Sequence, residues 1–385
     1  MSAEPPAWHL VTGEYPPVTG GVSAFTAAIA RGLADASREV VVWTPGAGDE
    51  LQEAGVRVRH LAGGWTSNGF RAVDTALDGE RRPRILFVQW VPHAFGRRSL
   101  NLAFCRWARR RARRGDRLVV MVHEPYLPFA GGIRRRSAAA IHRLMLRQLL
   151  ARAEWVWLSI PGWLPRVRRY VPAGVAAEWL PVPSSIAVAG NHAAVHAVRR
   201  RVAGAGLVVG HFGTFSRESR RCLDLIVPGV LAALPDARVL LIGRDSKDYA
   251  QDLARRVPGA SERVVATGAL SESNVSLYLQ ACDMLVQPYT DGASARRTTL
   301  MAALAHGRCI LTTVGELSEA WWRESGAVEV APAGRPELMI GTVASLAKDA
   351  GRRRLLERAA RSMYESRFAV GHAVSRLLTH EQPGR

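Results

Sequence analysis

Lysine is nearly missing from this sequence. Lys247 and Lys348 are the only two in 385 residues, so the formal charge of +19 rests almost wholly on arginine. A guanidinium stays charged at any pH a protein meets. Long hydrophobic runs are missing too, since no stretch approaches the roughly 18 apolar residues that cross a bilayer. The opening Met1-Ser2-Ala3-Glu4-Pro5-Pro6 has no basic segment leading into an apolar one, so a cytoplasmic location is expected. Cysteine is sparse: Cys105, Cys222, Cys282 and Cys309 stand singly with no CxxC spacing. That excludes a disulfide framework or zinc module and predicts reduced, buried thiols. There is no Asp-x-Asp pair to suggest a metal-bound diphosphate. Nor is there a zinc-finger spacing, recognition helix or aromatic sheet signature, so no nucleic-acid partner is expected despite the charge.

What is present fits a folded protein of two domains. Hydrophobic residues make up 48% and the mean hydropathy is −0.02, values that suit packed cores, and the length exceeds one ordinary core. The charge is uneven. Residues 1–200 hold 28 arginines against 14 acidic residues, a net of +14 that leaves +5 for the remainder. An excess on one side raises the local concentration of anionic partners, such as anionic lipid or a phosphorylated acceptor. Within it, residues 99–114 carry Leu100, Ala103, Phe104, Trp107 and Ala108 along one side and end in the arginine-rich run Arg109 to Arg114. Such a stretch suits an anionic membrane face, or else a helix packed on its own sheet with a solvated side.

Strand-like and helix-like patterns alternate along the chain. Trp8 to Thr12 reads as a buried strand, Gly20 and Gly21 as a loop, and Val22, Phe25, Ile29 and Leu33 as one face of a helix before a strand at Val40 to Trp43. Further strands are expected at 85–89, 118–122 and 155–159, with helices at 99–114 and 137–152. After Pro181-Val182-Pro183 the pattern loosens to about Gly206, and 184–206 is expected to be a linker. The alternation restarts with strands at 207–212, 238–243, 264–267, 284–287 and 309–313. Helices are expected at 222–234, 275–281 and 298–306, and again near 335–346, 352–366 and 369–378. Alternation of this kind implies two α/β domains with parallel sheets: 1–183, then 207–365, with residues 366–385 as a helix returning to the first domain.

Several residues invite chemistry. A glycine pair before a helix, Gly20 and Gly21, lets backbone approach a phosphate or sugar, although a plain tight turn would explain it. His123 follows the strand 118–122, where an imidazole can bond a sugar hydroxyl or take a proton, unless backbone already satisfies it; Glu124 beside it is a weaker candidate. Ser294, Arg296 and Arg297 precede Thr298 and Thr299 at a helix start. Hydroxyls, free amides and two guanidiniums there would cradle a diphosphate; the alternative is an N-cap with solvated arginines.

Read in order, these segments resemble glycosyltransferase family 4, the retaining glycosyltransferases of the GT-B fold, over essentially the whole chain and most strongly from Val208 to Phe368. The resemblance implies two Rossmann-like domains facing a central cleft. It implies transfer of a sugar from a nucleoside diphosphate sugar, UDP- or GDP-linked, with retention and with no cofactor or metal. By resemblance, His123 reaches the donor sugar and Gly213 opens the donor domain. Thr214 stands where relatives carry an arginine, no lysine follows, and Arg217, Arg220 and Arg221 supply the local charge. Gly243 and Arg244 form the next strand's turn, and Gly268, Ala269 and Leu270 lie beside the base. Asp291 stands for the first of two glutamates that contact sugar and ribose, and the second position falls at Ala302. These departures keep two rivals in view, a nucleotide-sugar epimerase-like reaction and a non-catalytic protein that binds a nucleotide sugar or a partner. The acceptor is expected to be anionic or membrane-associated, with the protein peripheral at the inner membrane face.

Overall fold

A computed structural model describes residues 4–381 apart from 19, 81, 82, 97, 98, 204 and 205. The chain forms two compact units, Met1–Val182 with Val370–Arg385, and Pro183–Ala369. The returning segment expected at 366–385 thus has its last four residues outside the description.

The first unit holds an eight-stranded sheet. Its strands are β1 (Ala7–Val11), β2 (Val40–Pro45), β3 (Leu51–Glu53), β4 (Val56–Leu61), β5 (Arg84–Trp90), β6 (Arg117–Val122), β7 (Trp155–Leu158) and β8 (Ala177–Trp179), in the spatial order β3-β4-β2-β1-β5-β6-β7-β8. All neighbours run parallel except the edge pair β3 and β4. Every residue of β1 and β5 is buried, as strands covered on both faces must be. Four helices connect these strands: α1 (Gly21–Asp35), α2 (Ser67–Gly79), α3 (Leu102–Arg113) and α4 (Ile133–Leu150), with the single turn α5 (Leu164–Val167) after β7. Because β1 lies between β2 and β5, the strand order reverses beside it. Ligands of open α/β sheets gather at such a point, beyond the carboxyl ends of the strands.

The arginine run that closes α3 is not a free basic face. Arg111 is fully buried and donates to Asp116 Oδ2 and Asp78 Oδ1, both at 2.6 Å, while Arg84 donates to Asp116 Oδ1 at 2.7 Å. Arg110 pairs with Asp74 at 3.0 Å, and Arg109 donates to Gln148 at 2.7 Å. Burying a guanidinium is tolerable only with carboxylates against it, and here carboxylates distant in sequence meet the run. The membrane-facing role expected of this stretch is therefore withdrawn in favour of the alternative, a helix packed on its own domain.

The second unit holds a six-stranded, all-parallel sheet in the order β11-β10-β9-β12-β13-β14. A helix α6 (His192–Ala203) leads into β9 (Val208–Phe212), α7 (Arg217–Ala233), β10 (Arg238–Ile242), α8 (Ser246–Arg256), the turn α9 (Ala260–Arg263), β11 (Val264–Ala266) and α10 (Glu272–Gln280). Then come β12 (Met284–Gln287), α11 (Thr298–Ala305), β13 (Cys309–Val314), the turn α12 (Trp321–Glu324), β14 (Glu329–Pro332), α13 (Met339–Lys348) and α14 (Ala350–Arg367). Here β9 lies between β10 and β12, so a second reversal sits at its carboxyl end. The core runs through Val209, Leu223, Ile226, Leu241, Met284 and Leu311.

The connection expected at 184–206 is corrected by α6, which packs on α10. Arg199 fixes it by donating to Ala281 O at 2.9 Å, Asp283 Oδ2 at 2.6 Å and Gly206 O at 2.6 Å. Only Val198 and Val202 of this helix are buried. Two valines among alanines and arginines give too faint a period to read.

The last helix, α15 (Val370–Thr379), belongs to the first unit and packs on α1. Gly32 permits the approach, because a Cβ there would lie 2.6 Å from Val374 Cγ2. Beyond α15, the buried carboxylate of Glu381 accepts from Trp8 Nε1 at 3.0 Å and from Arg38 Nε and Nη2, each at 2.7 Å. No helix among the described residues is long and apolar enough to cross a membrane. All four cysteines are buried and free, and burial pushes the Cys282 and Cys309 thiols up to about 12.

Candidate functional site

In the first unit, three strand ends contribute to the reversal point. Beyond β1 the chain turns at Gly13, where a Cβ would meet the Ala94 carbonyl oxygen at 2.5 Å. Only hydrogen fits there. Glu14 follows, and its Oε1 accepts the Ser23 amide at 3.0 Å in the first turn of α1. The same oxygen would lie 2.2 Å from a Cβ on Gly20. Gly20 is thus the N-cap of α1 and Gly21 its first residue, and the positive end of that helix, where the sequence suggested a phosphate, is met by a carboxylate of the chain itself. Nothing in the glycine pair announced Glu14, nine residues before its hydrogen-bond donor.

His123 lies one residue past β6 and is 8% exposed. Its Nε2 is 3.0 Å from Gln89 Oε1, and its ring meets Phe25 edge-on at 4.9 Å. The backbone is pinned as well: Ser159 Oγ and Trp163 Nε1 both donate to the His123 carbonyl, at 2.9 and 3.0 Å. Burial lowers the imidazole to about 3, so the ring is neutral at physiological pH and offers one donor and one acceptor. Gln89, the one polar residue toward the end of an apolar strand, was the available signal for this pair. Glu124 is half-buried beside it.

In the second unit the backbone carries the geometry. Gly213 follows β9, and Gly243 follows β10 with φ at 135°, its would-be Cβ only 1.9 Å from the Gly213 carbonyl oxygen. Gly243 also bridges Gly268, whose amide donates to Ser246 Oγ at 2.9 Å. The three glycine turns singled out in the sequence (Gly213, Gly243 and Gly268) therefore close on one another at the carboxyl edge of the sheet. Gly268 has Lys247 lying against it, with Cε 3.2 Å from a would-be Cβ. Thr214, Arg217, Arg221, Arg244 and Ala269 are exposed, and Leu270 is half-buried. Arg220 is committed elsewhere: it donates to Phe215 O at 2.9 Å and to Asp252 at 3.3 Å, and lies over Tyr249.

The loop from Gln287 to Thr299 brings the remaining candidates together. Asp291 accepts from Arg296 Nη2 at 2.9 Å and pairs also with Arg297. One carboxylate thus stands between two guanidiniums, leaving net positive charge at the start of α11, whose first amides have no intrahelical acceptors. Arg297 lies 4.7 Å over the Tyr289 ring, and Tyr289 Oη is 2.9 Å from Thr299 Oγ1. Thr298 opens α11, half-buried like Thr299. Glu319, which sequence reasoning missed, holds the loop from behind: its carboxylate accepts the Ala295 amide at 3.2 Å and Trp322 Nε1 at 2.6 Å. Burial pushes the Glu319 carboxyl above its usual range against the pull of those donors.

Polar groups here are left over. Ser294 Oγ, both ends of the Gln287 side-chain amide and His211 Nε2 are buried without a hydrogen-bond partner among the described residues. Such groups cost free energy unless water or a ligand meets them. Ala302 is fully buried inside α11, so the position of the second family carboxylate lies in the core. Among the described residues, no three His, Cys, Asp or Glu side chains are grouped to hold a metal ion.

Comparison with known proteins bears on the fold and the family resemblance. Residues 206–349 match the family model described as glycosyl transferases group 1. No curated protein sequence matches the chain significantly. Among solved structures, sucrose-phosphate synthase from Thermosynechococcus elongatus is similar with a TM-score of 0.76 at 13% identity, covering 97% of this chain and 98% of that one. Anabaena HepE in complex with UDP-glucose gives 0.70 at 14%, over 97% and 99%. WaaG, a glycosyltransferase involved in lipopolysaccharide biosynthesis, gives 0.67 at 15%, over 98% and 100%. The chain has the GT-B fold and resembles the group 1 glycosyltransferases.

Proposed function

We propose that this chain is a glycosyltransferase that takes its sugar from a nucleoside diphosphate sugar and passes it, with retention of configuration and without a metal cofactor, to an acceptor hydroxyl. The observation that carries the reading is that the segment matched by the family model holds both three glycine turns closing on one another past β9 and β10 and, past the neighbouring strand β12, a helix start bearing Arg296 and Arg297. Backbone that close leaves room for a nucleotide, and net positive charge beside free amides suits the diphosphate. HepE, similar in fold, was solved with UDP-glucose, which supports a uridine donor.

In this reading Gly243, Arg244, Gly268, Ala269 and Leu270 face the base and ribose. Gly213, Thr214, Ser294, Thr298 and Thr299 attend the diphosphate, with Arg217 as an exposed cation nearby. The leaving phosphate gains negative charge as the glycosidic bond breaks; Arg296, Arg297 and the amides of α11 stabilise it in the transition state. Asp291 holds both guanidiniums apart from their ligand and, once the diphosphate competes for them, turns to a sugar hydroxyl. Neutral His123 serves as a hydrogen-bond donor or acceptor to the sugar rather than as a cation.

The burial of Ala302 favours a second reading, a nucleotide-sugar-binding protein with altered or absent transfer. Incubation with UDP- and GDP-sugars, with and without simple acceptors, separates the two. Release of nucleoside diphosphate that depends on His123 and Arg296 supports transfer chemistry. Tight donor binding with no release under any condition supports the second reading.

A further inference from the structure

The basic excess of the first unit has a different outlet from the one its sequence suggested. From Pro125 to Ala177 there are nine arginines and one acidic residue, Glu154, and that one is paired with Arg117 at 2.8 Å. Residues 128–137, the end of the loop after β6 and the first residues of α4, are exposed without a break. They include Phe129 at 55% exposure, Ile133 at 82%, and the consecutive Arg134, Arg135 and Arg136.

The pattern continues along α4. Ala139, His142, Met145, Leu146 and Leu149 are buried and face the domain. The opposite side carries Ile133, Ser137, Ala140, Leu144 and Arg147, at spacings of four, three, four and three, all exposed. Ile133, Ala140 and Leu144 make that stripe largely apolar, with no acidic residue in it, where a solvated helix face would be acidic and basic in turn. Arg136 and Arg143 run down one flank of it, and Arg147 closes its end. The tip is held rather than loose, because the Arg143 guanidinium lies 3.9 Å from the Tyr126 ring centre and 3.8 Å from that of Phe129, and donates to Leu127 O at 3.1 Å. A second exposed apolar residue with basic neighbours, Leu164 with Arg168 and Arg169, packs alongside through the Tyr126–Tyr170 ring contact.

We propose that the exposed face of α4 and the loop before it form a docking surface for an anionic lipid bilayer, with Phe129 and Ile133 entering the headgroup boundary and Arg134, Arg135 and Arg136 meeting lipid phosphates. Apolar area and like charge on one helix face are the two components of interfacial binding, and each strengthens the other. A soluble polyanion would use the arginines and gain nothing from Phe129 and Ile133. The proposal is independent of sugar transfer.

Co-sedimentation with vesicles of phosphatidylcholine alone, and of phosphatidylcholine with phosphatidylglycerol, tests it on the full chain. Binding is expected only to the anionic vesicles and should weaken as salt rises. Phe129→Ser with Ile133→Ser should weaken it roughly tenfold or more, and Arg134→Gln with Arg135→Gln and Arg136→Gln roughly a hundredfold. The arginine variant alters only exposed side chains and should melt at the wild-type temperature; Ile133→Ser alone should do so too while still weakening vesicle binding, which separates the effect from the Phe129 packing on Arg143. Wild type that ignores anionic vesicles at low salt overturns the proposal. So does a Phe129/Ile133 variant that binds them as wild type does, which would leave a plain polyanion site. Titration of the same variants with UDP keeps the two readings apart, since nucleotide affinity should not change.

Discussion

Arg296, Arg297 and Asp291 form the most consequential contact in the second unit, because one carboxylate restrains two guanidiniums beside a helix start. Removing either guanidinium should weaken nucleoside diphosphate binding by roughly 1.5 to 3 kcal/mol, the usual range for a charge-assisted hydrogen bond. Asp291→Asn should do the opposite to affinity while lowering turnover, since it frees both cations and removes the sugar contact. Calorimetric titration of the three variants checks this; equal affinities throughout would return the arginines to the solvated N-cap reading. Buried imidazoles give a second expectation. Burial lowers His9 and His123 to about 3, and His211 and His306 to about 4. Above pH 6.5 these rings are neutral in both states and contribute no pH dependence. Below it the unfolded chain binds protons that the folded rings refuse, so stability falls with pH down to the folded values, by at most about 1.4 kcal/mol per pH unit for each ring. A melting temperature that stays flat from pH 7 to pH 5 would contradict this.

At the scale of elements, the strands that carry the site were legible because they are continuous apolar runs buried on both faces, as in Ile85 to Val88 and Leu240 to Ile242. The missed elements have weaker patterns. In β4, Val56 and Val58 alternate with Arg57 and Arg59 beside an edge strand, and α2 begins Ser-Asn-Gly with Phe70, Val73 and Leu77 alone marking its period. Site residues divide in the same way. His123 and the glycine turns could be named from their positions after strands, whereas Glu14, Gln89 and Glu319 depend on contacts made across the fold. Gly243 joins the two levels. Gly243→Ala would force φ near 135° on an alanine and drive its Cβ into the Gly213 carbonyl, for a loss of roughly 2 to 5 kcal/mol. Thermal melting of that variant should show the loss together with impaired nucleotide binding; a wild-type melt would mean that the turn is looser than described.

Across the whole molecule, charge asymmetry read from composition pointed to the first unit correctly as a sum but not to its location. Arginines of α3 answer Asp74, Asp78 and Asp116 inside the domain, while those at the start of α4 remain on an exposed, acid-poor surface. Arg111→Gln should therefore act as a stability variant, costing roughly 3 kcal/mol by removing one of the two guanidiniums that neutralise the buried Asp116 carboxylate. Urea unfolding would show it, and an unchanged midpoint would contradict the buried network. The proposed labour is divided between the units as well, since every residue proposed to meet the donor except His123 lies in Pro183–Ala369. That division makes donor binding the point on which the account stands. Titration of the wild-type chain and of an Arg296→Ala, Arg297→Ala variant with UDP and with GDP is the most direct measurement. The account predicts that one of the two nucleotides binds wild type in a 1:1 ratio and binds the variant at least tenfold more weakly. If neither nucleotide binds wild type, or if both proteins bind alike, the second unit is not the donor site described.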